Sequence, residues 1–177
     1  VVLLDAALKK CIFTAEDAEE DGRIQKAEFS FVDSVISSMF ALKKSDLQAI
    51  IAHCNEGYPD EACGILAGKG GRVEKVYPMR NSRPSPVGYE MEPEEQFRVL
   101  REIRQAGLDL VGIFHSHPGS PAYPSNIDVE RAYWPGTLFP NYPKAVYVIV
   151  SLVDREQPVV KSYSISEGSV REIPLTE

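Results

Sequence analysis

Apolar and polar positions follow two different periods along this chain, and the switches between them mark out its elements. Leu47, Ile50, Ile51 and Cys54 recur at the three-to-four-residue spacing of a buried helix face. Ser45 before them is a favoured N-cap and Asn55 to Pro59 carries the stop, so a helix is expected between. Ala62 to Ala67 is a short apolar run, Gly68 to Gly71 a turn, and Val73 to Tyr77 alternates, which together predict a hairpin. Arg80 to Pro86 reads as loop. A second helix is expected from Pro93, a residue suited to the first helical position, to a stop at Gly107, with Phe97, Leu100 and Ile103 on its inner side. Leu108 to Phe114 is almost continuously apolar and predicts a strand buried on both faces. The Pro-rich stretch Pro118 to Pro124 leads into a short helix from about Asn126 to Tyr133, broken at Pro135-Gly136. Lys144 to Leu152 predicts another buried strand, and Val159 to Ile165 and Val170 to Ile173 predict two more around a turn at Glu167-Gly168. The class is mixed α and β.

The first forty residues read differently. Val1 to Phe40 holds eight acidic and four basic residues, and its apolar positions recur at helical spacing on either side of Asp17 to Gly22: Leu4, Leu8 and Ile12 before, Phe29, Val32, Val35 and Ile36 after. Residues 1–40 are therefore expected to form a small acidic helix-turn-helix appendage to a domain spanning 41–177, with Met39 a candidate natural start of that domain. Asp17, Glu19, Asp21, Gly22 and Glu28 match much of a calcium-binding EF-hand loop, including the glycine at position six and the glutamate at twelve. Against a Ca2+ site stand the Glu at position three, where Asp or Asn is usual, and the single copy of a motif that ordinarily pairs. The acidic helix-turn-helix without calcium is the preferred reading.

Composition narrows the function. Lys and Arg total 19 against 26 Asp and Glu, a net charge of -7, and no basic stripe offers the phosphate neutralisation that DNA or RNA binding demands. Apolar runs such as Val111 to Phe114 and Ala145 to Val150 fall far short of the roughly 20 residues of a membrane helix, so no membrane partner is expected. Cys11, Cys54 and Cys63 are sparse, odd in number and without a C-x-x-C pair, which favours a reducing, cytoplasmic setting over a disulfide framework.

Two of the three histidines lie in His115-Ser116-His117-Pro118, where the buried strand ends, with Ser125 and Asp128 at the start of the next helix. His115 and His117 have the same parity on a strand, so both rings can face one site. With Asp128 they would provide three protein ligands, the number used by catalytic zinc sites that keep one position open. Other readings stand beside this one: Ser125-x-x-Asp128 is also a capping box, and an isolated His-x-His at a strand end is often ordinary polarity. There is no H-E-x-x-H, and no H-x-E followed by P-C-x-x-C. Cys63 reads as a small buried hydrophobe, His53 as a core-edge histidine, and Tyr133 and Trp134 as packing residues that could instead shape a substrate wall.

His115-x-His117, seven residues, Ser125, two residues and Asp128 resemble the motif of the JAMM (MPN+) metallopeptidases, and Glu61-Ala62-Cys63-Gly64 resembles that family's upstream glutamate segment. The resemblance runs from about Ala41 to Ile173 and extends to compact prokaryotic members through Tyr89-Glu90-Met91 and Tyr147 to Ser151. It implies a curved β-sheet flanked by helices, similar to the cytidine-deaminase architecture. It implies one zinc ion (Zn2+) held by His115, His117 and Asp128, Glu61 as general base, and Ser125 as a donor to the oxyanion. The implied reaction is hydrolysis of a peptide or isopeptide bond, after the C-terminal Gly-Gly of a ubiquitin-like or sulfur-carrier protein. Val87 to Met91 is the candidate sheet edge for such an extended tail. The alternative is a catalytically inactive scaffold of the same fold that binds a ubiquitin-like partner.

Overall fold

The computed structural model describes residues 40–177. The appendage helices, the calcium-loop match at Asp17, Glu19, Asp21 and Glu28, and Met39 lie outside the described residues.

The chain runs β1 (Phe40–Ala41), α1 (Lys44–Gly57), β2 (Cys63–Lys69), β3 (Arg72–Met79), α2 (Pro93–Gln105), β4 (Asp109–His117), α3 (Asn126–Arg131), β5 (Val146–Ser151), β6 (Val159–Ser166), β7 (Ser169–Ile173) and β8 (Leu175–Thr176). The strands form one curved, nearly closed sheet in the order β7-β6-β5-β4-β2-β3-β1-β8. The fold is the mixed α+β class expected. Its centre is β4, antiparallel to β2 on one side and parallel to β5 on the other.

Strand side chains alternate between faces, and here each face has its own core. Phe114, Val146, Val148 and Val150 point to the side where Ile50 and Cys54 of α1 pack, with Leu47 and Ile51 at the margin. Ile113, Tyr147, Ile65 and Cys63 point to the other side, against Val99 and Ile103 of α2. Both faces of β4 and β5 are thus dry, which is why their sequences lack polar alternation. The β6–β7 hairpin closes through Glu167 and Gly168, both at positive φ, the two-residue geometry that matches strand twist.

Four local expectations change. Helix α1 begins before Ser45: Lys43 is extended, and its carbonyl already accepts from the backbone N–H groups of Asp46 and Leu47, so Lys43 is the N-cap and makes no side-chain cap. Phe97 is 64% exposed and does not face inward. It sits roughly 200° round the helix from the buried Val99, at about 100° per residue, so the inner face is built by Val99, Leu100 and Ile103 instead. Strand β4 continues through His117, because His115, Ser116 and His117 remain paired in register with Ile149, Val150 and Ser151. Val87 to Met91 is not a strand; Pro86 and Val87 turn, and Met91 makes a single antiparallel bridge to Asn81. This stretch is a strap across the fold, with Glu90 O and Glu92 N already bonded to Ser82 N and Arg80 O.

Gly64 marks a close approach in the sheet. A Cβ there would overlap the Phe114 ring and the Tyr77 carbonyl, both held in paired strands. Gly64→Ala is expected to lower unfolding stability by about 1–3 kcal/mol, the usual cost of overpacking, read as a lower urea midpoint at unchanged m-value.

Candidate metal centre and active site

Three elements bring the site together. Strand β4 carries His115 and His117 on one face, next to Ile149 and Ser151 of β5, and both rings are buried. The loop after β4 is tied back to the sheet by side chains: Ser151 Oγ donates to Ser120 O at 2.7 Å and Tyr163 Oη to Ala122 O at 2.5 Å. That loop aims α3 at the histidines and places Asp128 in its first turn.

The donor atoms converge. His115 Nε2 and His117 Nε2 lie 3.1 Å apart, and Asp128 Oδ1 and Oδ2 lie 3.3 Å from His115 Nε2 and His117 Nε2 respectively. One ligand atom from each residue falls within 4.8 Å of the others. His117 Nδ1 is 2.9 Å from Pro121 O, so in the neutral ring Nδ1 carries the proton and leaves the Nε2 lone pair free for the centre. His115 Nδ1 is buried without a protein partner. Two imidazole nitrogens and a carboxylate, converging in a buried place, are a borderline-soft donor set of the kind zinc accepts, and the residues present fit such an ion.

The capping and ligand readings of Asp128 prove compatible. Ser125 N donates to Asp128 Oδ2 at 2.7 Å and Asp128 N donates to Ser125 Oγ at 3.2 Å, a complete capping box, while the same carboxylate faces both imidazoles. Ser125 Oγ also donates to Asp128 Oδ2 at 2.7 Å, so its one proton is directed at the carboxylate. Burial alone would raise the Asp128 carboxyl, but the hydrogen bonds from His115 and His117 outweigh it and hold Asp128 well below the usual carboxylate range. Burial pushes His115 below an ordinary histidine. Burial acts the same way on His117, yet its bonds to Asp128 and Pro121 win and raise it.

Glu61 lies in the turn between α1 and β2, 5% exposed, with Oε2 buried and unpartnered within the protein. Burial lifts its carboxyl from 4.5 to about 7, helped by the negative charge of Asp128 and opposed by His117 and Arg131. A buried carboxyl poised near neutrality, within electrostatic reach of His117 and Asp128, is suited to taking and returning a proton. Glu61, His115, His117, Ser125 and Asp128 are therefore neighbours, although 67 residues separate the first from the last.

Sequence reading missed several supports. Ser116, between the two histidines, faces the opposite side and accepts Ala62 N at 2.8 Å, while its own N–H donates to Ala62 O at 2.9 Å. A serine inside a buried strand is the signal that a backbone group needs a partner there. Tyr89 lays its ring against His115, centroids 5.0 Å apart, and its carbonyl accepts from Arg131 Nη1 at 2.6 Å. Nothing local in the sequence announces that pairing. Cys63 is fully buried and its thiol is pushed up to about 12 by desolvation, so it is an unreactive core residue as expected. His53 Nε2 meets Cys63 O at 3.2 Å and stays clear of the centre. Tyr133 is buried, whereas Trp134 is 43% exposed and does not simply pack.

No helix among the described residues is long and apolar enough to cross a membrane. Residues 43–166 match the family described as prokaryotic homologs of the JAB domain. The CysO-cysteine peptidase of Mycobacterium tuberculosis is 40% identical over 135 residues, 75% of this chain and 87% of that protein. A desampylase of Pyrococcus furiosus is 36% identical over 143 residues, 80% of this chain and 88% of its own length. The solution structure of a Desulfitobacterium hafniense protein shares 37% identity at a TM-score of 0.65, covering 78% of this chain and 94% of that one. The chain thus belongs to the prokaryotic homologs of the JAB domain, as a JAMM-type isopeptidase.

Proposed function

We propose that the chain is a zinc-dependent hydrolase in which His115, His117 and Asp128 hold the ion, Glu61 is the general base and Ser125 assists the oxyanion. The observation that carries this reading is the convergence of two imidazole Nε2 atoms and one carboxylate beside a buried glutamate. Held there, zinc would supply a water acidified to a pKa of about 7 and polarisation of the scissile carbonyl. Glu61 takes the proton from the attacking water and hands it to the departing amine, a role that needs a carboxyl able to exist in both forms near neutral pH. Ser125 must turn its hydroxyl proton from Asp128 Oδ2 towards the substrate carbonyl to serve the developing charge.

The substrate class we propose is a conjugate of a ubiquitin-like or sulfur-carrier protein, cut after a C-terminal Gly-Gly. Support comes from the names of the relatives, a CysO-cysteine peptidase and a desampylase, which the chain matches over most of their lengths. A diglycine tail has no side chains to obstruct its approach to the buried histidines.

The test has two parts. Elemental mass spectrometry of the purified chain is expected to find about one zinc per molecule, the stoichiometry of a three-ligand catalytic site. A panel of ubiquitin-like proteins, each joined through Gly-Gly by an amide to cysteine or lysine, is expected to contain one cleaved by the zinc-loaded chain and spared after chelation. A chain that takes up no zinc when supplied with it would sink the reading. Ser125→Ala is expected to lower kcat about 10²-fold at saturating zinc, the effect of losing one oxyanion donor. It should also weaken zinc binding about tenfold, because Asp128 loses an orienting bond.

A further inference from the structure

We propose that Asn81 is a positioning residue for Glu61, and that its carboxamide couples the general base to the strap running past His115. The proposal rests on the peptidase reading, in which Glu61 is the base. Glu61 precedes the first residue of β2, Cys63, so no ladder bond holds it. Its backbone is held instead by the turn that follows β3: Glu61 N donates to Ser85 O at 2.8 Å, and Asn81 Nδ2 donates to Glu61 O at 2.8 Å.

The other end of the same carboxamide is also in use. Asn81 Oδ1 accepts from Arg83 N and from Glu90 N, each at 3.0 Å. The partners settle which end is which, since a carbonyl faces the nitrogen and two N–H groups face the oxygen. One side chain therefore joins the base, its own turn and the strap. The strap carries Tyr89, whose ring rests on His115 and whose carbonyl is held by Arg131 of α3. Asn81 and Arg131 grip one peptide unit of the strap, at Glu90 N and Tyr89 O respectively, and so link Glu61 to the helix that bears Asp128. Groups that do chemistry must be held to within a fraction of an ångström by neighbours of this kind, and a misplacement of about 1 Å costs on the order of 10²-fold in rate.

Two variants separate the two ends of the carboxamide. Asn81→Asp keeps an oxygen for Arg83 N and Glu90 N but sets an oxygen in place of the donor against Glu61 O. Asn81→Ala removes both ends. The rate probe is a ubiquitin-like carrier whose Gly-Gly is amide-linked to a fluorescent lysine, with rates expressed per zinc-loaded molecule. Asn81→Asp is expected to lower kcat about 10–100-fold, scaled from that misplacement cost, with little change in KM. Asn81→Ala is expected to lower kcat and raise KM together, because the strap loosens as well. Amide hydrogen exchange, which needs no substrate, is expected to show faster exchange at Glu61 without change at Arg83 or Glu90 in Asn81→Asp, and at Glu61, Arg83 and Glu90 together in Asn81→Ala. Unchanged kcat in Asn81→Asp, or unchanged Glu61 exchange in both variants, overturns the proposal. A parent chain that cleaves no conjugate overturns the peptidase reading instead, while the exchange result still decides whether Asn81 holds Glu61.

Discussion

Glu61→Gln is expected to abolish cleavage while leaving zinc in place. Glutamine keeps the shape of the side chain but cannot accept the water's proton, and positioned acid–base groups contribute about 10²–10⁴-fold to rate. In the proposed mechanism Glu61 serves both the attack and the departure of the amine, so the loss should fall at the upper end of that range. Zinc content should be unchanged, since Glu61 is not among the three converging ligands. A variant that retained more than about a tenth of the parent rate would remove Glu61 from the chemistry, far outside the range for a lost general base.

The same substitution has a second consequence, opposite in sign to an ordinary loss of function. The folded-state pKa of Glu61 is raised from 4.5 to about 7, so between those values the folded zinc-free protein binds more proton than the unfolded chain. The stabilising contribution is complete below pH 4.5 and is lost as pH rises through 7. Above that, the ionised carboxylate is buried at a cost of up to about 3 kcal/mol, and glutamine escapes it. Zinc-free Glu61→Gln should therefore unfold at higher denaturant than the zinc-free parent at pH 8, and at nearly the same denaturant at pH 4.5. Zinc at the proposed site would add a positive charge near the carboxylate, so the difference at pH 8 should shrink in the loaded proteins.

His117→Ala is the second large effect. It removes one of the three proposed ligands and also the Nδ1 contact to Pro121 O that steadies the loop leading to α3. Zinc per chain is expected to fall from about one to below a tenth, and cleavage to fall below detection, as a site with two ligands no longer meets the three a catalytic zinc requires. Thermal unfolding separates the ring from the ion. At a thousandfold excess over its dissociation constant, zinc should stabilise the parent by about 4 kcal/mol, and His117→Ala should show no zinc-dependent shift. A variant that still responded to zinc like the parent would place the ion elsewhere.

The site was readable in the sequence to the extent that its parts are local. His115 and His117 share a strand face because of a two-residue period, and Ser125 and Asp128 share a helix start because of a three-residue one. Both periods are set by backbone geometry, so both survived comparison with the structure. Glu61 was different. No spacing connects it to His115, and only the likeness of Glu61 to Gly64 to a known segment singled it out. The burial that gives it a pKa near 7 is a property of the closed sheet. Asn81, Tyr89 and Arg131 are harder still, since their partners lie 20, 26 and 42 residues away: Glu61 O, the ring of His115 and Tyr89 O. Such pairings leave no mark in periodicity. Phe97 shows the converse failure, in which an apolar residue near the right spacing was assigned inward although the sheet met a different face of α2.

The double use of Asp128 bears on how this lineage can change. Its capping box with Ser125 starts α3 from protein atoms alone, and the two cores on either side of the sheet draw nothing from the ion. The helix start alone is therefore reason enough to keep Ser125 and Asp128, whatever becomes of the chemistry. Substituting both histidines would silence the chemistry and remove the contacts to Pro121 O and the Tyr89 ring, yet leave the helix start and the Ser151 and Tyr163 ties of the loop in place. From this architecture, a copy freed of its enzymatic duty by gene duplication is a short mutational walk away, and it would reach that state already folded.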